Sequence, residues 1–488
     1  MSIKKINILG AGTAGLVSAL VLKTYNKELD ISIIKSKKID IVGVGEGSTE
    51  HWAAFIDYID VNIVEFFKHT DCTYKHGIMF ENWNGDQSNY MHNVNTFFMQ
   101  QDNTTGYPFL QHLKIVTTNT QLETLDPNTV LSKHYQPVAR STNQFHFDTF
   151  KLNEYLIKIC KDKQINIIED TISEVSINNS GIESLKGETN NYIADLYIDA
   201  SGFNRVLLSK LGAVWVDCTE YLPMNSAITF PTTFKENEEY PGYTRAIAMN
   251  AGWIWQIPTQ KRYGNGYVFC DKFITEEEAL AEAEELYQQK LTINKSFKFG
   301  AGYIKDVWIK NCVAIGLSAS FVEPLEATNI GTGIQQAFAL ITHLETQDIA
   351  EESKMMYNKI IRNIFKNTID FVQLHYITKR EDTNFWKFCK TIKKTEFNKR
   401  TLEVFKNSMP TWQYFSEPYI LFNHQNWIPV LNGLELIDRQ KYIDNWNKIS
   451  YNKRMETLVK SDIYDNRPCD VLNNRDAIEF MRNSNVAN

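Results

Sequence analysis

The sequence predicts an α/β fold in which two modules are interleaved over residues 1–350 and a predominantly helical region follows over 351–488. Three observations lead there. A buried-type strand, Ile6-Asn-Ile-Leu-Gly10, runs directly into Gly10-Ala-Gly-Thr-Ala-Gly15 and then into the apolar helix pattern Leu16–Leu22. A second strand, Ala194–Asp199, leads into the small-residue turn Ala200-Ser-Gly202-Phe203, so a distant segment can return to the first crevice. Beyond about residue 350 the apolar spacing is helical, over Ser353–Gln373 and Phe385–Phe405.

The first strand–turn–helix is a dinucleotide site in its required context. Gly10 permits the tight turn, Gly12 lets backbone approach a pyrophosphate, and Gly15 permits close helix packing. Thr13 and Ala14 then open a helix whose N-terminus faces phosphate charge. The next strand, Leu29–Ile34, normally ends in an acid that accepts from the ribose hydroxyls. Lys35 stands there instead. It either donates to a hydroxyl or is a solvated surface lysine. A second glycine-rich stretch, Ile41-Val-Gly43-Val44-Gly45-Glu46-Gly47-Ser48, suggests backbone pressed against a flat or charged ligand.

Further along, Thr149–Ile159 has helical spacing, and Ile165–Ile168 and Ile172–Ile182 read as strands. Residues 120–140 are polar and without period, so a loop or cover is expected. Ala251–Phe269 reads as aromatic strands joined through Lys261–Gly266, with Asn265-Gly266 as the turn signal. Thr275-Glu-Glu-Glu278 opens a capped helix to Leu286.

Composition narrows the class. Of 488 residues 43% are hydrophobic, enough for a large core, and the net charge of −7 offers no basic footprint for nucleic acid. The seven cysteines form no CxxC pair, which argues against structural zinc or a disulfide scaffold. No run reaches the roughly 20 apolar residues that span a bilayer. The N-terminus enters a strand without a signal-peptide pattern, so a cytoplasmic setting is expected. Ten tryptophans suit either a core or a pocket for a flat aromatic ligand.

Five ordered motifs resemble the flavin-dependent tryptophan halogenase family: Gly10–Gly15, Val42–Ser48, Thr73-Tyr-Lys75-His-Gly-Ile78, Gly252-Trp253-Ile-Trp255-Gln-Ile-Pro258, and Lys310–Leu317 leading to Phe321-Val-Glu-Pro-Leu-Glu326. The resemblance runs from Ile6 to about Ile341 and more weakly to Trp446. It implies an FAD-binding, flavin-monooxygenase-like fold, with the helical region covering a substrate. It also implies a two-component reaction. FAD arrives reduced, as FADH2, from a separate NADH-dependent flavin reductase or as free FADH2. Oxygen and halide then yield hypohalous acid, which crosses a tunnel to an electron-rich arene. Lys75 matches the lysine that binds or captures the oxidant. Glu326 matches the glutamate that assists positioning and proton removal.

Those roles make physical sense. Hypohalous acid is diffusible and indiscriminate, so regioselectivity needs a fixed delivery point. An ammonium offers three donors, and a nearby carboxylate can stabilise a cationic arene and take its proton. Alone, a Lys–Glu pair reads more readily as a partly buried salt bridge; the whole pattern reverses that preference. Trp253 and Trp255 share one side of an extended strand; the resemblance implies that they separate flavin from substrate chemistry, and ordinary core packing is the other reading of each indole. The resemblance places halide at the Thr328–Asn329 backbone, with Asn329 and Ile330 beside the cofactor. Gly202 would contribute from the second strand. An aromatic hydroxylase, which needs no halide, is the competing activity.

Several positions depart from the family pattern. Ala327 removes a hydroxyl and Asn329 replaces a frequent glycine. Asn89–Phe98 lies where the family places an arene-sandwiching segment; His92 matches a family histidine or is an ordinary loop residue. Trp427 and Trp446 are further pocket candidates, without a recognisable clamp for free tryptophan. An indole or other electron-rich arene is therefore the expected substrate. The preferred halide is open, and so is a homodimer.

Overall fold

The computed structural model describes residues 3–38, 46–93, 106–117, 144–235, 238, 241–344, 350–465 and 474–483. Val44, Gly45, the 120–140 stretch and the arene-segment residues beyond 93 lie outside the described residues.

The nucleotide module is built on a six-stranded sheet. Strand Lys5–Leu9 is central, flanked in parallel by Asp30–Lys35 and Leu196–Asp199. Cys312–Ala314 pairs in parallel beyond Leu196–Asp199, and Asn166–Glu169 in parallel beyond Asp30–Lys35. Trp308–Ile309 closes one edge in the antiparallel sense. Ile6, Asn7, Ile8 and Leu9 are all buried, as expected of a central parallel strand covered on both faces. Helix Thr13–Tyr25 leaves the strand through the glycine turn and packs against helix Thr328–His343.

The second module is a seven-stranded, mostly antiparallel sheet. Its middle strand, Gly252–Pro258, is buried along its whole length. Asn265 and Gly266 do not form a turn. They lie inside strand Tyr263–Phe269, and the reversal falls at Thr259–Arg262, closed by the Thr259 N–H donating to the Arg262 carbonyl oxygen at 2.9 Å. The reason is steric. Gly266 sits opposite Trp255, and a Cβ there would come within 2.1 Å of the indole ring. The glycine serves close approach, not chain reversal.

The other expected elements form with small shifts. Helix Thr149–Asp162 is N-capped by Asp148, and Glu276–Tyr287 carries the capping box of Thr275 and Glu278. Residues 172–182 become two strands of a hairpin, Ile172–Asn178 and Gly181–Gly187. The long helix runs Glu351–His375. The expected 385–405 helix is two helices, Asn384–Cys389 and Glu396–Phe405, because Thr383 and Thr395 each cap a separate start. Among the described residues no helix is long and apolar enough to cross a membrane.

Candidate active site

A cavity of about 1070 Å³ lies between the two modules and is lined by both sheets. Its lining includes Gly10, Gly12, Thr13, Ala14 and Gly202 from the nucleotide module, together with Lys75, Trp253, Trp255, Asn329 and Ile330. The glycine turn has the form of a pyrophosphate cradle. A Cβ on Gly10 would stand 2.2 Å from the Ala200 carbonyl oxygen, and one on Gly15 would stand 2.1 Å from the Gly10 carbonyl oxygen. Gly12 meets nothing within 4 Å, so its backbone is open to a ligand. Buried Asp199 accepts from the N–H groups of Ser201, Leu207 and Leu208 and shapes the turn that carries Gly202. The volume and this cradle fit a flavin dinucleotide.

Lys35 lines the same cavity. It is ion-paired with Glu169 at 3.3 Å, and Lys37 reaches the other oxygen of Glu169 at 3.0 Å. Lys35 and Glu169 are register partners on adjacent parallel strands. The carboxylate missing from the end of one strand is thus present at the end of its neighbour. Sequence reading passed over Glu169, although it closes the predicted strand Ile165–Ile168. Glu46 also lines the cavity, and burial raises its carboxyl to about 7, against the lowering effect of a hydrogen bond from Thr149.

Lys75 stands at the joint between two sheets. Thr73–Tyr74 pairs with Phe145–Phe147 in a small sheet, and Gly77–Glu81 begins an outer part of the large one. Between them the Lys75 N–H donates to the Gln144 carbonyl oxygen and the His76 N–H to that of Gly242. The side chain is buried, and its ammonium donates to the Ser48 carbonyl oxygen at 2.7 Å. A Cβ on Gly47 would press on it at 3.3 Å, so the glycine there makes room for the lysine. Burial pulls the ammonium down to about 8, partly offset by the charges of Glu326 and Glu50.

Glu326 ends the loop from Phe321 and precedes helix Thr328–His343, which Ala327 enters with a left-handed φ of 55°. Leu325 and Ala327 line the cavity, whereas the Glu326 carboxylate is buried away from it between two histidines. His92 Nδ1 lies 2.9 Å from both carboxylate oxygens. His375 Nε2 lies 3.0 Å from Oε1. His375 donates from Nδ1 to the Phe371 carbonyl oxygen, which fixes the ring with Nε2 towards Glu326. Burial alone would raise this carboxyl, but the two histidines outweigh it and hold it well below the usual carboxylate range.

Trp253 and Trp255 have ring centroids 6.1 Å apart, and both line the cavity. Trp253 Nε1 donates to Glu323 Oε1 at 3.2 Å, and the Tyr376 hydroxyl donates to the same oxygen. Burial pushes Glu323 up to about 8, so it is a neutral acid near pH 7. The Thr328 hydroxyl is buried without a protein partner beside the helix start. Trp427 and Trp446 are not brought to the cavity. Trp427 is core, packed on Phe371, Phe397 and Phe415, and Trp446 packs on His112. His375, Glu323 and Asn426 were not singled out from the sequence. They sit among buried apolar residues on helices or loops, and no spacing distinguishes them there.

A profile of the tryptophan halogenase family matches residues 5–445. The chain belongs to the tryptophan halogenase family. It is similar to the tryptophan 6-halogenase ThaL of Streptomyces albogriseolus, with 30% identity over 84% of this chain and 83% of that one. The tryptophan 7-halogenase RebH of Lentzea aerocolonigenes is 28% identical over 89% and 90%. Among solved structures, the tryptophan 6-halogenase SttH of Streptomyces toxytricini superimposes with a TM-score of 0.82 at 26% identity, covering 98% of this chain and 99% of its own. Membership makes this protein a flavin-dependent aromatic halogenase, with FAD as the implied cofactor, and the hydroxylase alternative is not favoured.

Proposed function

We propose that this halogenase acts on an indole or another electron-rich arene rather than on free tryptophan alone, with Lys75 as the delivery point and Glu326 as the proton acceptor. The observation that carries the reading is the position of Lys75. It is buried, lines the cofactor cavity and feels the Glu326 charge. Bound FAD, delivered as FADH2 by a separate reductase or from solution, would supply oxidation of halide by oxygen. The turn at Thr328–Asn329, with the backbone of the helix start, is the proposed halide contact.

The residues then account for the transfer. The Lys75 ammonium, anchored by Ser48, holds hypohalous acid through its remaining N–H groups. The arene carbon bonds the halogen as the halogen–oxygen bond breaks. Oxygen leaves as water, taking a proton from the ammonium, and the ring proton passes to the Glu326 carboxylate. Trp253 and Trp255 keep the arene away from the cofactor. Cofactor contacts are assigned to Gly10, Gly12, Thr13, Ala14, Gly15, Lys35, Val44, Gly45, Glu46, Gly47, Gly202, Asn329 and Ile330. The proposed division is 1–350 for the interleaved modules and 351–488 for the substrate cover. The breadth of substrate is supported by His92, which is engaged with Glu326 instead of being free to stack on an amino-acid substrate.

The test is incubation with FAD, a flavin reductase, NADH, oxygen, bromide and a mixture of arenes including indole and tryptophan. Catalase is present, and Lys75→Ala is the control. A product with a bromine isotope doublet, made by the native protein alone, supports the reading. No doublet with any arene would overturn it, and turnover of tryptophan alone would overturn the substrate breadth.

A further inference from the structure

We propose that His92 is a positioning residue for Glu326, locked in one tautomer by Asn426, and that it does not stack on the arene. The inference rests on Glu326 acting in the proposed halogenation.

The tautomer follows from a helix cap. Helix His424–Gly433 begins with a capping box in which the Asn423 N–H donates to Asn426 Oδ1 at 2.9 Å. That bond fixes the orientation of the Asn426 amide, so its Nδ2 hydrogens point the other way. They meet His92 Nε2 at 3.4 Å. Nε2 must therefore accept, and the ring hydrogen sits on Nδ1. Nδ1 in turn faces both oxygens of Glu326 at 2.9 Å. The result is a directed chain, Asn426 to His92 to Glu326, in which each ring nitrogen of His92 has a partner.

Burial makes this chain consequential. His92 is 1% exposed and Glu326 3% exposed. A carboxylate without donors at that depth is costly. His92 arrives on strand Asn89–Asn93, opposite Ile78 on the strand that follows Lys75. The same strand pair thus places His92 near the lysine segment. Among the described residues, the other charged or titratable groups around the carboxylate are His375, on the long helix, and Lys75. His92 also meets Phe371 edge to face at 5.4 Å, and it does not line the cofactor cavity. A ring held on both nitrogens and packed on Phe371 is poorly placed to sandwich a mobile arene.

Two substitutions separate the roles. Asparagine can place an amide N–H where Nδ1 stands, whereas phenylalanine keeps an aromatic ring and loses the donor. Positioning predicts that His92→Asn retains kcat for arene bromination within about threefold, and that His92→Phe loses at least tenfold in kcat with little change in KM for the arene. A stacking role predicts the reverse order, with the change in KM. Nitrogen-15 histidine NMR of the full native chain gives a readout independent of turnover. The resonance lost in either His92 variant should be an Nδ1–H tautomer with a bare Nε2. An Nε2–H tautomer, or a fully active His92→Phe, would overturn the proposal. If the native protein brominates nothing, the halogenase reading fails, while the tautomer still decides whether the Asn426–His92–Glu326 chain exists.

Discussion

Glu323 and Glu326 lie in one loop, three positions apart, yet their carboxyl groups are driven in opposite directions. Both are buried. Among the described residues Glu323 meets the donors Trp253 and Tyr376, and burial raises it to about 8. Glu326 meets His92 and His375, which hold it low. The difference is set by one helix end: His375 and Tyr376 are consecutive, and each reaches a different glutamate. One carboxyl is kept as a neutral acid under the tryptophan wall and the other as a carboxylate beside the lysine.

Replacing Lys75 with alanine is expected to abolish arene halogenation while oxygen still reoxidises the bound reduced flavin. Product mass spectrometry and stopped-flow flavin absorbance read the two separately. In the native protein the rate should fall as pH rises through about 8, because the ammonium is the donor that is lost. A rate that climbs through the same range would instead require a neutral amine that attacks halogen.

Glu326→Gln keeps the shape and removes the charge. Halogenation should drop at least tenfold, about 1.4 kcal/mol in transition-state free energy. Binding of FAD, followed by fluorescence quenching, should be unchanged, since Glu326 is not among the residues lining the cofactor cavity. Full activity in a stable variant would remove Glu326 from the reaction.

Glu323 makes a stability prediction. Its folded pKa lies above the ordinary value of 4.5, so the folded state holds a proton that the unfolded chain releases. That stabilisation is complete below pH 4.5 and is lost as pH rises towards 8. Glu323→Gln cannot ionise. Between pH 5 and 8 its denaturation midpoint should fall less steeply than that of the native chain. Parallel slopes would show that Glu323 does not stay protonated.

At the nucleotide end, Glu169→Gln removes the one carboxylate shared by Lys35 and Lys37. If that carboxylate also serves the ribose, FAD binding measured by calorimetry should weaken several-fold, with halogenation restored at saturating FAD. An unchanged affinity would confine Glu169 to an exposed ion pair, worth about 0–1 kcal/mol.

Much of the fold was legible because its signals are local. The glycine turn at Gly10–Gly15, the capping box at Thr275 and the long helical period beyond Ser353 depend on residues a few positions apart, and each forms as read. Asn265-Gly266 misled for an instructive reason. The pair has turn chemistry, but Trp255 on the adjacent strand requires an empty side-chain position there. The boundary at 390–395 was missed because two threonine caps override a continuous apolar pattern.

By itself the sequence determined the nucleotide turn, the family motifs and the two charged residues on which the chemistry is proposed to rest, because each is a short string with its own backbone or chemical requirement. Only the tertiary structure decided what surrounds those charges. Lys75 and Glu326 come from segments 251 positions apart, and the histidines between which Glu326 lies come from a sheet-edge strand and the end of a long helix. No periodicity links such positions. Whether a buried carboxyl is an acid or a carboxylate depends on which donors packing brings within about 3 Å, and that is a property of the assembled core.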